Sequence, residues 1–200
     1  MWDKRYSEPG YAYGTAPNDF LVSVVDRIPK GRVLCLAEGE GRNAVYLAGL
    51  GYDVVAVDAS PVGLQKTRDL AGSRGVHIET VHADLADFTI RPGTYTGIVS
   101  IWMHLPSALR APLHAQVVHA LRPGGAYVLE AYTPAQPALG TGGPKDRDRL
   151  MDGATLREEL AGLDLEVCRE LERSVDEGLY HKGRSAVVQV LAFAKPAHTE

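Results

Sequence analysis

Apolar residues fall into short runs along this chain, alternating with stretches of helical spacing. Arg32-Val-Leu-Cys-Leu-Ala37 is nearly continuous, the pattern of a strand buried on both faces. Arg42 to Leu50 spaces Ala44, Val45, Leu47 and Ala48 as a helix does, with Gly49 and Gly51 to end it. Asp53 to Asp58 reads as a second buried strand. Ser60-Pro61 then opens a helix running to about Ser73. Val76 to Ala83 and Tyr95 to Trp102 read as the third and fourth strands. Pro112 to Leu121 reads as a helix stopped by Arg122-Pro-Gly-Gly125, and Ala126 to Tyr132 as the fifth strand. Strand and helix in alternation predict an α/β fold, a doubly wound parallel sheet with helices on both faces. Residues 133–153, with Pro134, Pro137, Pro144, Gly140, Gly142, Gly143 and Gly153, predict a long functional loop. A helix near Ala154 to Ala161 follows. Leu165 to Glu172 and Ser185 to Ala194 then read as an antiparallel hairpin closing one sheet edge.

Composition narrows the class. The 200 residues are 45% apolar and 23% charged, which suits one globular domain over 1–200 and excludes disordered and collagenous chains. A net charge of −4 argues against nucleic acid or an acidic membrane as partner. No apolar run approaches a membrane span, and the opening Met-Trp-Asp-Lys-Arg-Tyr6 lacks a signal peptide's apolar stretch, so a cytoplasmic location is expected. Cys35 and Cys168 make neither a disulfide framework nor a metal site, and no histidine pairs with Cys or acid at ligand spacing. Residues 146–177 hold eleven acids against five bases, expected to form a solvated face.

The strongest local signal is Ala37-Glu-Gly-Glu-Gly-Arg-Asn-Ala44, between a strand and a helix. Gly39 and Gly41 permit a tight turn and close approach of a ligand, and the free N–H groups of the next helix point into the same space. Asp58 closes the second strand, where a carboxylate can accept from ribose hydroxyls, and Asp84 follows the third strand at the same sheet edge. These residues predict a nucleoside site in one crevice; structural glycines and helix-capping aspartates are the alternative. Gly39-x-Gly41-x-x-Ala44 also fits the dinucleotide fingerprint, which keeps an NAD(P)-dependent oxidoreductase open, although the chain has length for one sheet only.

Val33 to Asn43, Val54 to Asp58, Ala83-Asp84-Leu85, Tyr95 to Ser100 and Leu121-Arg-Pro-Gly-Gly125 resemble the successive motifs of class I S-adenosylmethionine-dependent methyltransferases. Glu-Gly-Arg-Asn43 and the aromatic N-terminal arm resemble the small thiol S-methyltransferase and tellurite-resistance group within it. The resemblance implies a Rossmann-like, seven-stranded sheet, mostly parallel with an antiparallel C-terminal hairpin strand. It implies S-adenosylmethionine as cofactor and S-adenosylhomocysteine as product. Gly39 and Gly41 would then pass under the methionyl part, Asp58 and neighbouring Ala59 would meet the ribose, and Asp84 the adenine amino group. Leu85 would pack on the adenine, and Ser100 would lie near the sulfonium. The sequence departs from the family pattern at four places: Cys35 replaces a frequent acid, Ala37 the first glycine and Glu38 a small or sulfur residue, and Tyr95-Thr-Gly-Ile98 lacks the common acid near its start. Glu38 supplies a carboxylate to the cofactor's amino group or braces Arg42, while Arg42 and Asn43 complete the loop.

Methyl transfer is an in-line displacement that the protein serves by alignment, water exclusion and removal of a proton. His104, after the fourth strand, is the candidate base; capping the next helix is its alternative role. His77, His114 and His119 are expected to be structural, the latter two on a surface helix. The arm over residues 1–20 is expected to form an aromatic lid, with Tyr6 and Tyr13 as contacts and Arg5 meeting either the cofactor carboxylate or a surface acid. Trp102, Tyr132, Gln136 and His181 are candidate substrate contacts. The expected partner is a small-molecule methyl acceptor, a thiol or dithiol first, for a monomer or homodimer. The Ala-, Arg- and Gly-rich usage points to a GC-rich bacterial source and hence to a natural-product thiol. Tellurite or selenium methylation and a non-catalytic cofactor-binding regulator are the other readings.

Overall fold

The computed structural model describes residues 2–196; Met1 and residues 197–200 of the expected domain lie outside them. Seven strands form one sheet: β1 (Arg32–Leu36), β2 (Asp53–Asp58), β3 (Glu79–His82), β4 (Tyr95–Ile101), β5 (Leu121–Tyr132), β6 (Leu163–Glu177) and β7 (His181–Ala194). Their order is β3-β2-β1-β4-β5-β7-β6. Neighbours from β3 to β5 pair in parallel, and β7 runs antiparallel between β5 and β6. This is the seven-stranded, mostly parallel sheet expected from the sequence.

The helices are α1 (Trp2–Tyr6), α2 (Asp19–Val24), α3 (Arg42–Gly49), α4 (Pro61–Ser73), α5 (Ser107–Ala120) and α6 (Gly153–Glu159). Strand residues alternate between two cores. Val33, Cys35, Val54, Ala56 and Val99 face α2, α3 and α4; Leu34, Leu36, Val55, Val57 and Ile98 face α5 and α6. Burial on both faces explains the near-continuous apolar runs of β1, β2 and β4.

Some boundaries differ from the sequence reading. Helix α5 begins at Ser107, with Pro112 inside it; a helix-start reading of that proline misplaces the boundary. Strand β3 is only Glu79–His82, whereas β6 and β7 extend well beyond the expected hairpin. Helix α2, capped by the Asn18 side chain accepting from Leu21 N at 3.0 Å, is too short to leave a periodic signal. His114 is not on a surface: it is fully buried, its Nδ1 2.6 Å from Glu159 Oε2 and its Nε2 3.2 Å from the Tyr127 hydroxyl.

Part of the acidic stretch is solvated as expected, Glu166 pairing with Arg27 on the surface, but Glu159 takes the Arg110 guanidinium at 2.9–3.2 Å, tying α6 to α5. Burial pushes the Glu159 carboxyl up, but His114 and Arg110 outweigh it and hold the group below its ordinary value. Removing one partner of a buried pair strands the other. Arg110→Ala is therefore expected to cost about 3 kcal/mol in urea unfolding; a much smaller loss would show that the pair does not hold α5 to α6.

Candidate active site

The strand order reverses between β1 and β4, and ligands of such sheets bind outside the carboxyl ends at that point. A cavity of about 690 Å³ opens there. Its floor is the turn after β1. Gly41 has φ +90°, and a Cβ at that position would stand 2.7–2.8 Å from Thr67 atoms; at Gly39, φ +66°, it would meet the Tyr6 hydroxyl at 2.6 Å. Ala37 holds φ +49°, a left-handed conformation that costs about 1–2 kcal/mol in a non-glycine residue. The sequence departs from the family pattern at a position that does need a glycine-like backbone.

Two carboxylates organise this turn. Asp58 accepts from Gly39 N at 2.9 Å and Ser60 N at 2.8 Å. Glu38 Oε1 accepts from Asn43 N and Ala44 N at 2.9 and 2.8 Å, so two of the α3 N–H groups expected to face a ligand are already taken. Burial pushes the Glu38 carboxyl up to about 7 against the pull of those N–H groups and of Arg42.

The opposite wall is aromatic. Trp102, just past β4, has φ +58°, rare for a bulky residue. Its ring lies 4.4 Å from Tyr132 and 4.9 Å from His181 between centroids, and His104 stacks on Tyr132 at 5.4 Å. His104 Nδ1 lies 3.1 Å from the Arg149 carbonyl. A carbonyl only accepts, so Nδ1 carries the proton and Nε2 presents a lone pair. That Nε2, the Tyr132 hydroxyl and His181 Nδ1 are buried without a hydrogen-bond partner. Burial, with Arg110 and Arg149 nearby, lowers His104 to about 4 despite its carbonyl partner. Burial likewise lowers His181 to about 3 against the Glu177 charge, helped by Arg42, His104 and Arg5. Both rings are neutral at pH 7.

Glu177, at the end of β6, joins the walls. Its Oε2 accepts from the Trp102 indole N–H and from Arg42; its Oε1 accepts from Asn18 Nδ2 at 2.8 Å and Arg173 at 3.2 Å. Asn18 also donates to Glu130, which takes Arg173 at 2.7–2.8 Å and Gln189 at 2.7 Å. The arm closes over this frame. Arg5 donates to the Tyr13 hydroxyl at 2.6 Å and stacks on Tyr180, and Leu179 N donates to Ala12 O at 2.8 Å.

Of the residues anticipated from sequence, Tyr6, Tyr13, Glu38, Gly41, Arg42, Asn43, Asp58, Trp102, His104, Tyr132 and His181 line one cavity. Gly39 lies beneath the Tyr6 ring. Ala59 and Asp84 are exposed at the same strand ends, Asp84 accepting from Ala86 N; Leu85 packs on the core, and Ser100 is buried within β4. Gln136 does not reach the cavity: its amide donates to Thr141 and Gly142 and accepts from Ala186 N, so it shapes the loop. Arg5 forms no ion pair among the described residues; it lines the cavity and donates to the Tyr13 hydroxyl. Asn18 escaped sequence reading altogether. Glu130 left a signal, an acid inside the apolar strand Ala126–Tyr132. Among the described residues no group of three His, Cys, Asp or Glu is placed to hold a metal, and no helix is long and apolar enough to cross a membrane.

Residues 33–125 match a methyltransferase domain family. The chain is 28% identical over 132 residues to a 2-heptyl-1-hydroxyquinolin-4(1H)-one methyltransferase of Mycobacteroides abscessus, an alignment covering 64% of this chain and 58% of the relative's length. A structure described under conversion of a disulfide bond into a thioacetal group during echinomycin biosynthesis superposes with a TM-score of 0.77 at 20% identity, covering 96% of this chain and 88% of the other. An S-adenosylmethionine-dependent methyltransferase structure from Methanosarcina mazei gives 0.72 at 13% identity, covering 88% and 98%. The superpositions give the chain the seven-stranded α/β fold of these methyltransferases, and the domain match lies over residues 33–125.

Two outcomes test this geometry. Gly41→Ala is expected to lower the melting temperature by several degrees, because the added methyl meets the Thr67 backbone; an unchanged melting temperature would mean the turn is free to shift. The two histidines set a pH dependence. The unfolded chain protonates them near pH 6.5 and the folded chain near 4 and 3, so their contribution to stability is complete above 6.5 and is lost as pH falls toward 4. His104→Gln should flatten the fall in melting temperature between pH 6.5 and 4.5; parallel slopes would contradict a neutral buried His104.

Proposed function

We propose that this chain methylates the thiol of a small molecule with S-adenosylmethionine, using His104 as proton acceptor. One observation carries the reading: a neutral imidazole, anchored through Nδ1, with Nε2 unpartnered in the wall of an aromatic cavity beside the glycine turn. The cavity volume suits a cofactor with a small acceptor better than a macromolecular groove.

The residues suit the cofactor. The turn through Gly39 and Gly41 packs its backbone directly against Tyr6 and Thr67, with Gly41 in the cavity wall. Each Asp58 oxygen accepts one backbone N–H and keeps a lone pair for a ribose hydroxyl. Glu38 lines the cavity with a carboxyl raised to about 7, which an adjacent ammonium group would hold ionised. When bound, the cofactor supplies an electrophilic methyl on a sulfonium, whose carbon–sulfur bond breaks with the electron pair left on sulfur. The acceptor sulfur's lone pair makes the new bond to carbon, its proton passes to His104 Nε2, and the imidazolium returns that proton to water.

A base of such low pKa takes a proton only from a group that is itself acidic. A thiol, near 8.5, meets that need better than an alcohol. The substrate after which the Mycobacteroides abscessus relative is named favours a second reading, in which the accepting atom is the oxygen of an acidic ring N-hydroxyl. Tellurite suits the cavity less. Four acids, Glu38, Glu40, Asp58 and Asp146, line the same space as four bases, of which Arg42 is held by Glu177, Arg149 by Asp146 and Arg5 by the Tyr13 hydroxyl, while Lys145 is the fourth. A dinucleotide oxidoreductase and a binding-only regulator have no support from the matched relatives.

Calorimetry should show S-adenosylhomocysteine binding at micromolar or better, with NAD(P) at least a hundredfold weaker. Product analysis over thiols, dithiols, N-hydroxy heterocycles and tellurite should place the methyl on sulfur. Methyl only on oxygen would move the assignment to the second reading, and binding without turnover would contradict catalysis. His104→Ala should slow transfer at least a hundredfold while leaving S-adenosylhomocysteine affinity within threefold.

A further inference from the structure

Tyr132 is fully buried and lines the cavity; its hydroxyl has the Ser185 side chain as a neighbour but makes no hydrogen bond within 3.5 Å. A buried unpaired hydroxyl is costly unless a ligand completes it. Burial pushes the phenol up to about 12, so at neutral pH it is a hydrogen-bond donor. Stacked on it is His104, whose Nε2 can only accept. The phenol can donate as well as accept, and Nε2 only accepts, so the stacked pair offers a ligand one donor and one acceptor.

The rings around them have a common orientation. Trp102, Tyr132 and His104 lie within 10–31° of parallel to one another. His181 stands nearly perpendicular to Tyr132, at 86°, and closes one side. A flat ligand continues a stack of this kind at about 0.5–1.5 kcal/mol per ring pair, and a puckered one does not.

We infer that the acceptor subsite selects a planar aromatic ring system bearing both the methyl-accepting X–H group, which donates to His104 Nε2, and a carbonyl, which accepts from the Tyr132 hydroxyl. The acceptor scaffold is thus an aryl thiol or hydroxyl with a carbonyl on the same ring system. This rests on the methyltransferase reading and adds the scaffold to it. Trp102 supplies a face, and Glu177 fixes that face through the indole N–H.

The test uses the full chain loaded with S-adenosylhomocysteine for binding and with S-adenosylmethionine for turnover. The probes are methyl 2-mercaptobenzoate and methyl salicylate, which carry the carbonyl; thiophenol and phenol, which lack it; and cyclohexanethiol, which is not planar. The carbonyl-bearing probes should bind at least tenfold more tightly than their parents, and thiophenol at least tenfold more tightly than cyclohexanethiol. Tyr132→Phe keeps the ring and should melt no lower than the parent. It should bind S-adenosylhomocysteine unchanged and reduce the carbonyl advantage to less than twofold. A uniform loss across all probes in Tyr132→Phe would overturn the inference, since a merely structural role predicts that. So would methyl transfer to cyclohexanethiol as efficient as to the aryl thiols, which leaves the methyltransferase reading standing. Tyr132-dependent binding of the carbonyl probes with no methylated product from any acceptor would instead support the subsite and overturn the reading of catalysis.

Discussion

The chamber depends on one carboxylate in a place where water does not reach it. Glu177 accepts from Arg42, Trp102, Asn18 and Arg173, which come from the glycine turn, the end of β4, the start of α2 and β6. Burial alone would raise its pKa; Arg42, the Trp102 N–H and Arg173 together hold it below the ordinary carboxylate value. The buried acids Glu130 and Glu177 are balanced by Arg42 and Arg173, with exposed Asp19 bonded to Arg173 at the edge of the cluster. That balance is the condition under which buried ions are tolerated at all.

The active-site geometry follows from that cluster. Trp102 sits in a left-handed backbone conformation that a bulky residue does not choose alone; its amide donates to Glu130 O at 2.9 Å and its indole to Glu177. Held there, its ring meets Tyr132 and His181, and the wall that presents His104 is complete. Asn18 N donates to Asn43 Oδ1 at 2.9 Å, and Arg42 to Ala16 O at 3.2 Å, which brings the N-terminal arm over the glycine turn. The β6–β7 tip then meets the arm through Leu179 and Tyr180. Three segments distant in sequence thus roof one cavity, and they share a single anchor.

What sequence disclosed and what it did not divides on physical lines. Strands β1, β2, β4 and β5 announce themselves because burial on both faces demands unbroken apolar runs. The glycine turn and Asp58 are legible because their chemistry is local, and His104 and Trp102 because they follow a strand end. The role of Glu177 was hidden: its Arg42 partner is 135 residues away, and in a stretch rich in acids it reads as one more solvated charge. Gln136 misled for the converse reason. An amide on a loop over the site suits a ligand contact, but the loop's own carbonyls and the Ala186 N–H consumed it. Pro112 misled because proline is a better guide to a helix's first turn than to its interior.

Hydrogen exchange on Glu177→Gln beside the parent protein tests most directly whether one carboxylate holds the chamber together. The account predicts that amides of residues 12–18 and 178–181 lose protection together while β1, β2 and β4 keep theirs. Loss confined to the β6–β7 tip, with the arm still protected, would contradict it.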